Sequence, residues 1–524
     1  MDKGATSFKG FSIGINGFLF ALYSAFVCWT ALVIIDRAFG MFTLIIILLV
    51  FAAALLLSPF LFNALSKKYI HQSPEGLASF GKNLFFEILF YFLPLAVLLF
   101  YYYAYYPGCF TVDSSNQYAQ VISGHYNDWH PVTQTLFAFK LPLALTGGWF
   151  GSIVLFQVLC FSAVLGYSFN TVRKYTNMRY TIATMAFVLL NPLLGSITMF
   201  PWKDVSFAIG ALLLIAYSLH VWFSKGAWLR SPVNTVAFIL AAVLTTLFRH
   251  NAILFTGPLV LGVLLLISKK RAVLIALLIV VLCFGVKIPF YAAIKVEKPD
   301  QRVVETVGLP MTVIGAAVAH TPELLDEETL QFAYKIAPEE VWKEKYVFGS
   351  YQQVKFDPRT NNDVIEEYGR QKIILMMFRC FKNSPEVSIK ALVKLTEASY
   401  TLTDEYNDAM ILGLRYSDLG HQEVQSALKE YCYFTSCCFP FLYIRLGVMH
   451  LLLIVGVLSK CKLGKLKDWK KILFIISVFA YNYGTSIIMA GNELSTRFFF
   501  YTFPLTPLLL IFLFAKDDKE FENM

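Results

Sequence analysis

Long apolar runs separated by short polar connections recur along the whole chain. A run of about 20 residues is long enough for a helix to cross a hydrocarbon layer about 30 Å thick. Because a helix satisfies its own backbone hydrogen bonds in lipid and an open sheet does not, the runs predict a bundle of transmembrane helices. We predict about twelve spans, at residues 13–35, 41–63, 84–103, 149–169, 181–200, 205–223, 233–248, 252–267, 272–290, 439–458, 472–489 and 498–514.

The composition agrees with an all-α polytopic membrane protein. Of the 524 residues, 57% are hydrophobic and only 15% are charged, against about 25% charged residues in a soluble domain. The net charge of +9 comes from basic residues that lie between the apolar runs, so we expect no nucleic-acid partner. The nine cysteines lack a metal-binding spacing, and no zinc site is predicted. A disulfide from Cys437 or Cys438 is conceivable only on an oxidising side of the membrane. Its candidate partners are Cys432 and Cys109.

Lysine and arginine are concentrated in alternate connections between the predicted spans. Because cytoplasmic loops retain positive charge, this asymmetry predicts a multi-pass protein of the cell membrane with both termini in the cytoplasm. The cytoplasmic set is Lys3, Lys9, Lys67, Lys68, Lys82, Arg173, Lys174, Arg179, Lys225, Arg230, Lys269, Lys270, Arg271, Lys460, Lys462, Lys465, Lys467, Lys470, Lys471, Lys516 and Lys519. The short connections on the outer side hold Arg37, Lys140, Lys203, Arg249 and Arg497.

Two longer polar segments interrupt the rhythm of spans, and both fall on the outer side in this orientation. The second is rich in charge and predicts a mainly helical outer domain. Its predicted helices are 323–336, 338–346, 362–381 and 385–401. The predicted organisation is N-terminal spans at 1–104, a first large outer loop at 105–148, central spans at 149–290, the outer domain at 291–438, C-terminal spans at 439–515 and a cytoplasmic tail at 516–524.

The first outer loop is dense in polar groups for a segment between two spans. Asp113 stands where a short helix over 115–122 is predicted to begin, so capping of this helix is one interpretation of its role. Trp129 and His130 open the segment 132–145, whose polarity and proline favour a helix that lies at the membrane interface. For His130 one interpretation is likewise structural: the residue starts this interfacial helix, and its ring is hydrogen-bonded to the backbone.

Three further polar clusters lie at the outer ends of predicted spans, and each contains a cation. They are Trp202-Lys203-Asp204, Arg249-His250-Asn251, and Glu493 with Arg497. An interfacial lysine or arginine commonly reaches only toward lipid headgroups. Together with Asp113 and His130, however, the three cations predict a polar cavity that combines a carboxylate with phosphate-binding groups.

Five short motifs therefore share one face of the predicted bundle. They are an acidic residue in the first large outer loop, a following Trp-His-Pro, a Trp-Lys-Asp turn, an Arg-His-Asn turn and a last helix opened by Arg-Phe-Phe-Phe-Tyr. In this layout the chain resembles integral-membrane glycosyltransferases of the GT-C superfamily, and most closely a bacterial branch of it. It departs from better-known members in having two spans before the loop that follows their first helix.

The resemblance implies transfer of a sugar from a polyprenyl-phosphate donor to an acceptor on the outer face, which is an envelope polymer, a lipid or a protein. Asp113 matches the position of the general base that removes the proton of the acceptor hydroxyl. Lys203, Arg249 or Arg497 would neutralise the charge of the leaving phosphate. His130 would bind phosphate, orient Asp113 or help to hold a divalent metal, because the superfamily contains both metal-dependent and metal-independent members.

The stereochemical outcome of such a transfer depends on a second carboxylate. A covalent glycosyl intermediate would need one close to Asp113, and Asp128, Asp204 and Glu493 are the candidates. Trp129, His250 and Asn251 are further residues that we expect to support the site.

Two other classes of function compete with a glycosyltransferase. A transporter or flippase for a lipid-linked saccharide would also need many spans and outer cations, but it predicts internal repeats and broken or polar helices at the bilayer midplane. The sequence shows neither clearly, because its ionisable residues cluster at span ends. A non-catalytic scaffold would leave the Asp113 and Trp-His-Pro loop without a reason.

Overall fold

The structure is a computed structural model that describes residues 14–35, 40–68, 70, 84–298, 302–400, 402, 419–443, 445–461, 465–488 and 496–515. Within these ranges the chain is helical and has no strand, only three isolated bridges. The all-α prediction is therefore confirmed for the part of the chain that the structure describes. The predicted cytoplasmic tail lies outside it.

The helices are labelled here in chain order. The first half contains α1 (Ile15–Ile34), α2 (Met41–Ser66), α3 (Leu84–Ala104), α4 (Val112–Ser123), α5 (Val132–Leu145), α6 (Ser152–Tyr175), α7 (Met178–Leu189), α8 (Pro192–Thr198), α9 (Lys203–Phe223), α10 (Pro232–Leu247), α11 (Ile253–Leu264) and α12 (Lys269–Ala293). The second half contains α13 (Arg302–Thr306), α14 (Gly308–His320), α15 (Glu327–Ile336), α16 (Glu339–Lys345), α17 (Gln352–Lys355), α18 (Asp363–Asn383), α19 (Pro385–Thr396), α20 (Gln422–Cys438), α21 (Pro440–Tyr443), α22 (Leu446–Lys460), α23 (Leu466–Ile488) and α24 (Thr502–Phe514).

Several of these helices have the length and apolarity needed to cross a membrane. Six helices among the described residues meet both conditions, or seven if the bent pair α7 and α8 counts as one span. The other predicted spans correspond to helices that are shorter or that carry charge. α10 has 16 residues, α11 has 12, α22 has 15 and α24 has 13. α23 has 23 residues and starts with a charged turn.

The predicted span 181–200 is broken in the middle, and the local sequence explains the break. Pro192 has no backbone N–H to continue the helix. The side chain of Asn191 accepts a hydrogen bond from the backbone N–H of Leu193 at 3.0 Å and caps a new helix. α7 and α8 consequently meet at an angle of 51°.

The bundle is built around α9. In its most apolar stretch 78% of the residues are buried, compared with 11% in α2, so α9 is central and α2 is peripheral. α9 packs against α6, α10, α11 and α24. The site described below lies at the N-terminal end of this central helix.

The segment predicted as the outer domain has its own apolar core. α14 runs through this core and packs against α18 and α19. The indole of Trp342 is fully buried there and donates to the carbonyls of Ala333 and Ala337, each at 3.1 Å. Helices stand at all four predicted positions in α15, α16, α18 and α19, whereas α14 was not predicted as a separate helix. α19 also packs against α1 and α23, which attaches the domain to the bundle.

The disulfide considered for Cys437 or Cys438 is not formed. All nine cysteines are free. Cys109 and Cys432 are buried in the main apolar core, whereas Cys437 and Cys438 are exposed in the last turn of α20.

Candidate functional site

Asp113 lies in the first turn of α4 and does not cap it. The helix begins earlier than predicted, with Thr111 at the N-cap position. The Thr111 hydroxyl accepts a hydrogen bond from the indole N–H of Trp202 at 2.9 Å, which ties the start of α4 to the start of α9. The capping interpretation of Asp113 is therefore wrong, and its carboxylate, with 34% of the side chain exposed, faces the cations of the site.

Arg497 is the cation closest to Asp113. Its Nη2 lies 3.2 Å from Asp113 Oδ2, and its Nε lies 3.9 Å from Asp204 Oδ2. The guanidinium is also held 4.8 Å from the ring centres of Trp202 and Phe498. With 22% of its side chain exposed, Arg497 is shared between two carboxylates and remains open on one side.

Arg249 lies deeper than Arg497. Its side chain is 1% exposed, and Nη1 forms an ion pair with Oδ1 of Asp204, which is itself buried. Its Nε donates to Asn251 Oδ1 at 3.1 Å, and Asn251 in turn donates to the hydroxyl of Thr485 at 2.5 Å. Arg249 is therefore joined to Arg497 through Asp204, whose other oxygen faces Arg497.

His130 and Lys203 form the second half of the site. Lys203 Nζ lies 3.1 Å from Nδ1 of His130, and Nε2 of the same ring lies 4.0 Å from Asp113 Oδ1. Because an ammonium only donates, Nδ1 accepts and the ring proton is on Nε2, on the side of Asp113. Burial and the neighbouring Lys203, whose effect exceeds the opposing effect of Asp113, together lower the pKa of His130 to about 3. His130 is consequently neutral at physiological pH.

The cations determine the charge of Asp113. Burial by itself would raise the pKa of this carboxyl, but the basic side chains beside it, Arg497 first and then Lys203, outweigh burial and lower the pKa below the ordinary value. Asp113 is therefore ionised at neutral pH and can accept a proton.

A buried chain of polar side chains holds the three helices of the site in register. One turn beyond Asp113, the amide of Gln117 donates to Gln134 and, at 2.8 Å, to the hydroxyl of Thr135. Gln134 lies one turn beyond His130 and donates to Ser206 Oγ at 3.4 Å, one turn beyond Lys203. α4, α5 and α9 are thus joined by a second, uncharged layer beneath the charged one.

Asp128, Trp129 and His250 form a neighbouring group. Oδ2 of Asp128 lies 3.7 Å from Lys287 Nζ, and Oδ1 accepts a hydrogen bond from the backbone N–H that begins α5. His250 Nε2 donates to the backbone carbonyl of Asp128 at 3.1 Å, and Trp129 is exposed. Asp128 thus accepts a backbone hydrogen bond at the start of α5 and pairs with Lys287.

The described residues offer limited means of holding a metal. They contain no group of three or more His, Cys, Asp or Glu side chains that could hold an ion. Glu493, a candidate from the sequence, lies outside the described residues.

No family model, curated protein or solved structure matches this chain.

Several functional positions were missed by reasoning from the sequence. Gln117, Gln134 and Ser206 lie inside segments that look like ordinary helix, and only their spacing from the charged residues marks them. Lys287 lies inside the predicted span 272–290, and nothing in the sequence pairs it with Asp128. Trp202 belongs to a recognised motif, yet its contacts with Thr111 and Arg497 could not be foreseen.

Proposed function

We propose that this chain is a membrane glycosyltransferase of the GT-C type that moves a sugar from a polyprenyl-phosphate donor to a cell-envelope acceptor on the outer face of the membrane. The observation that carries the proposal is the contact of Asp113 with Arg497 at 3.2 Å, beside the pair of Lys203 and His130. An ionised and partly exposed carboxylate next to accessible cations suits a reaction in which a hydroxyl loses a proton while a phosphate departs.

In this proposal Asp113 is the general base. It is ionised, and a third of its side chain is exposed, so an acceptor hydroxyl has a route to it. The contact with Arg497 orients the carboxylate without enclosing it. The neutral His130 lies against the other carboxylate oxygen and limits its rotation.

The phosphate of the donor is proposed to bind next to Lys203. The amino group of Lys203 contacts the neutral ring of His130. Within the described ranges no carboxylate lies at ion-pair distance from Lys203. Among the described residues the cluster combines three basic side chains, Lys203, Arg249 and Arg497, with two carboxylates, Asp113 and Asp204. An anionic group would add a partner for the basic side chains and accept hydrogen bonds from Lys203.

The proposed transfer inverts the configuration of the sugar. A retaining transfer would need a second free carboxylate about 5 Å from the first. Asp204 is 2% exposed and faces two guanidiniums, and Asp128 pairs with Lys287. Direct attack of the acceptor, with Asp113 as base, therefore fits these residues better than a covalent intermediate.

The proposed membrane arrangement has about twelve spans. They are α1, α2, α3, α6, the bent pair α7 and α8, α9, α10, α11, α12, α22, α23 and α24. The asymmetry of lysine and arginine places the site and the outer domain on the outer side of the cell membrane, with both termini in the cytoplasm. Glu305 of α13 acts electrostatically on Lys203, which supports the outer domain as a cap over the site.

A transporter or flippase for a lipid-linked saccharide is the second candidate. The bend of 51° between α7 and α8 favours it, because transporters commonly build their sites at broken helices. The charged residues of the site, however, lie at helix starts and in connections. This location fits chemistry at one membrane face better than passage through the midplane.

One reconstitution experiment separates these functions. The protein in liposomes is given a panel of undecaprenyl-phosphate sugars labelled in the sugar, together with a cell-envelope extract that supplies the acceptor hydroxyl. Release of undecaprenyl phosphate, transfer of the label to the extract and movement of the label across the bilayer are measured. We expect the wild type to release undecaprenyl phosphate and Asp113→Asn to be slower by about 10²- to 10⁴-fold, the usual contribution of a general base. Asp326→Asn, which removes a surface carboxylate of the outer domain, is the matched control and should keep the wild-type rate.

Three outcomes would count against the proposal. Full activity of Asp113→Asn would exclude Asp113 as the base. Movement of intact lipid-linked sugar across the bilayer without release of undecaprenyl phosphate would identify a transporter. No release and no movement with any donor of the panel would favour a scaffold.

A further inference from the structure

Asp204 is the most enclosed carboxylate of the site. It is 2% exposed and lies in the first turn of α9, where the helix dipole stabilises a negative charge. Its two oxygens face different guanidiniums, Oδ1 that of Arg249 and Oδ2 that of Arg497. A buried carboxylate between two cations is a bridge, and its removal would leave two like charges facing each other.

The two arginines on this bridge differ in their surroundings. Arg249 is enclosed by Asp204, Asn251 and the ring of Phe498, whose centre is 4.9 Å away. Arg497 has one carboxylate on each side and 22% of its side chain exposed. Arg249 thus contacts Asp204, whereas Arg497 contacts both Asp204 and Asp113.

We infer that Asp204 and Arg249 are positioning residues, which set how strongly Arg497 is held against the carboxylate of Asp113. Arg249 occupies one oxygen of Asp204, and the other oxygen draws Arg497 away from Asp113. The strength of the Asp113–Arg497 contact is thus a balance between two carboxylates. The catalytic meaning of this balance rests on the proposed function, but the balance itself does not.

The balance predicts opposite effects for the two residues. In Asp204→Asn, the attraction of Arg497 toward Asp204 is lost and its contact with Asp113 strengthens, so the negative form of Asp113 is favoured and the pKa of Asp113 falls. In Arg249→Gln, the freed charge of Asp204 attracts Arg497, and the pKa of Asp113 rises. A merely structural role would loosen the site in both variants and move the pKa of Asp113 toward the ordinary carboxyl value in both.

The test is an infrared titration of the full-length protein in nanodiscs. Difference spectra between pH values report protonated carboxyl groups, and the Asp113→Asn variant identifies the band of Asp113. The groups that face this carboxylate are Arg497, Lys203 and His130, and they are unchanged in both test variants. We expect the titration midpoint to move to lower pH in Asp204→Asn and to higher pH in Arg249→Gln, and to return toward the wild-type value in the double variant.

Matched controls come from a surface pair in the outer domain. Asp326 and Arg379 lie 3.3 Å apart, and Asp326→Asn and Arg379→Gln make the same changes of charge away from the site. Neither control should move the Asp113 band. Shifts of the same sign in the two test variants, or none, would overturn the inference, even if the wild type transfers sugar. Opposite shifts in a protein that cleaves no donor would support the inference and refute the proposed function.

Discussion

At the scale of single residues, His130 shows how the site fixes a protonation state. Its ring accepts a hydrogen bond from Lys203 and is buried, so its pKa in the folded protein is lowered to about 3. In the unfolded chain a histidine has a pKa near 6.5. Between these values the unfolded chain binds a proton that the folded protein does not bind, so stability falls as the pH decreases from about 6.5 to about 3.

This reasoning predicts that His130→Gln weakens the acid sensitivity of the protein. A glutamine oxygen can still accept from Lys203, but it does not titrate. We expect the free energy of unfolding of the wild type to fall more steeply between pH 6.5 and pH 4 than that of the variant, by up to about 1.4 kcal/mol per pH unit. The unfolding midpoint should fall in the same order. Thermal unfolding in detergent at several pH values measures both slopes, and equal slopes would show that His130 is not buried in its neutral form.

The charged residues of the site could be chosen from the sequence, but the sequence could not show which of them are buried and which are accessible. Lys203, Arg249 and Arg497 look alike on the chain because each stands at the outer end of an apolar run. Only the fold distinguishes the buried Arg249 from the accessible Arg497. The distinction depends on contacts between residues that are far apart in sequence, and a periodic pattern carries no information about them.

At the scale of helices, close packing of α9 against α10 depends on Gly210. A Cβ atom added there would overlap the side chain of Thr245 on α10. Gly210→Ala should therefore force the two helices apart and lower stability by about 1–3 kcal/mol. Gly285→Ala is the matched control, because the added atom would meet only Val281 at an ordinary 3.5 Å. Unfolding midpoints in detergent measure both, and equal losses would mean that Gly210 is not a packing contact.

Helix positions were easier to predict than helix ends. Apolar periodicity located the central helices within a few residues, as α9 (Lys203–Phe223) shows against the predicted 205–223. It failed where local chemistry overrides hydropathy, as at Asn191 and Pro192, where a proline and a cap break one predicted span in two. It also missed the early start of α4, because the N-cap position is decided by Thr111 rather than by the acidic residue after it.

At the scale of the whole molecule, the orientation of the chain is the property on which the proposed function depends. A polyprenyl-phosphate sugar and an envelope acceptor meet on the outer face, so the outer domain and the site must lie there. The asymmetry of lysine and arginine predicts this orientation, since cytoplasmic loops retain positive charge. Hydropathy alone yields the helices but says nothing about which side each loop faces.

Cysteine labelling measures this orientation directly. Lys343 in the outer domain and Lys270 at the start of α12 are both exposed, and each can be replaced by cysteine in a background that carries Cys437→Ser and Cys438→Ser. We expect a membrane-impermeant maleimide to label Lys343→Cys in intact cells and Lys270→Cys only after permeabilisation. The background protein without either introduced cysteine corrects for labelling of the native thiols that remain. The reverse pattern would place Asp113 on the cytoplasmic side, where the proposed acceptor is absent, and the transferase would then need a cytoplasmic acceptor.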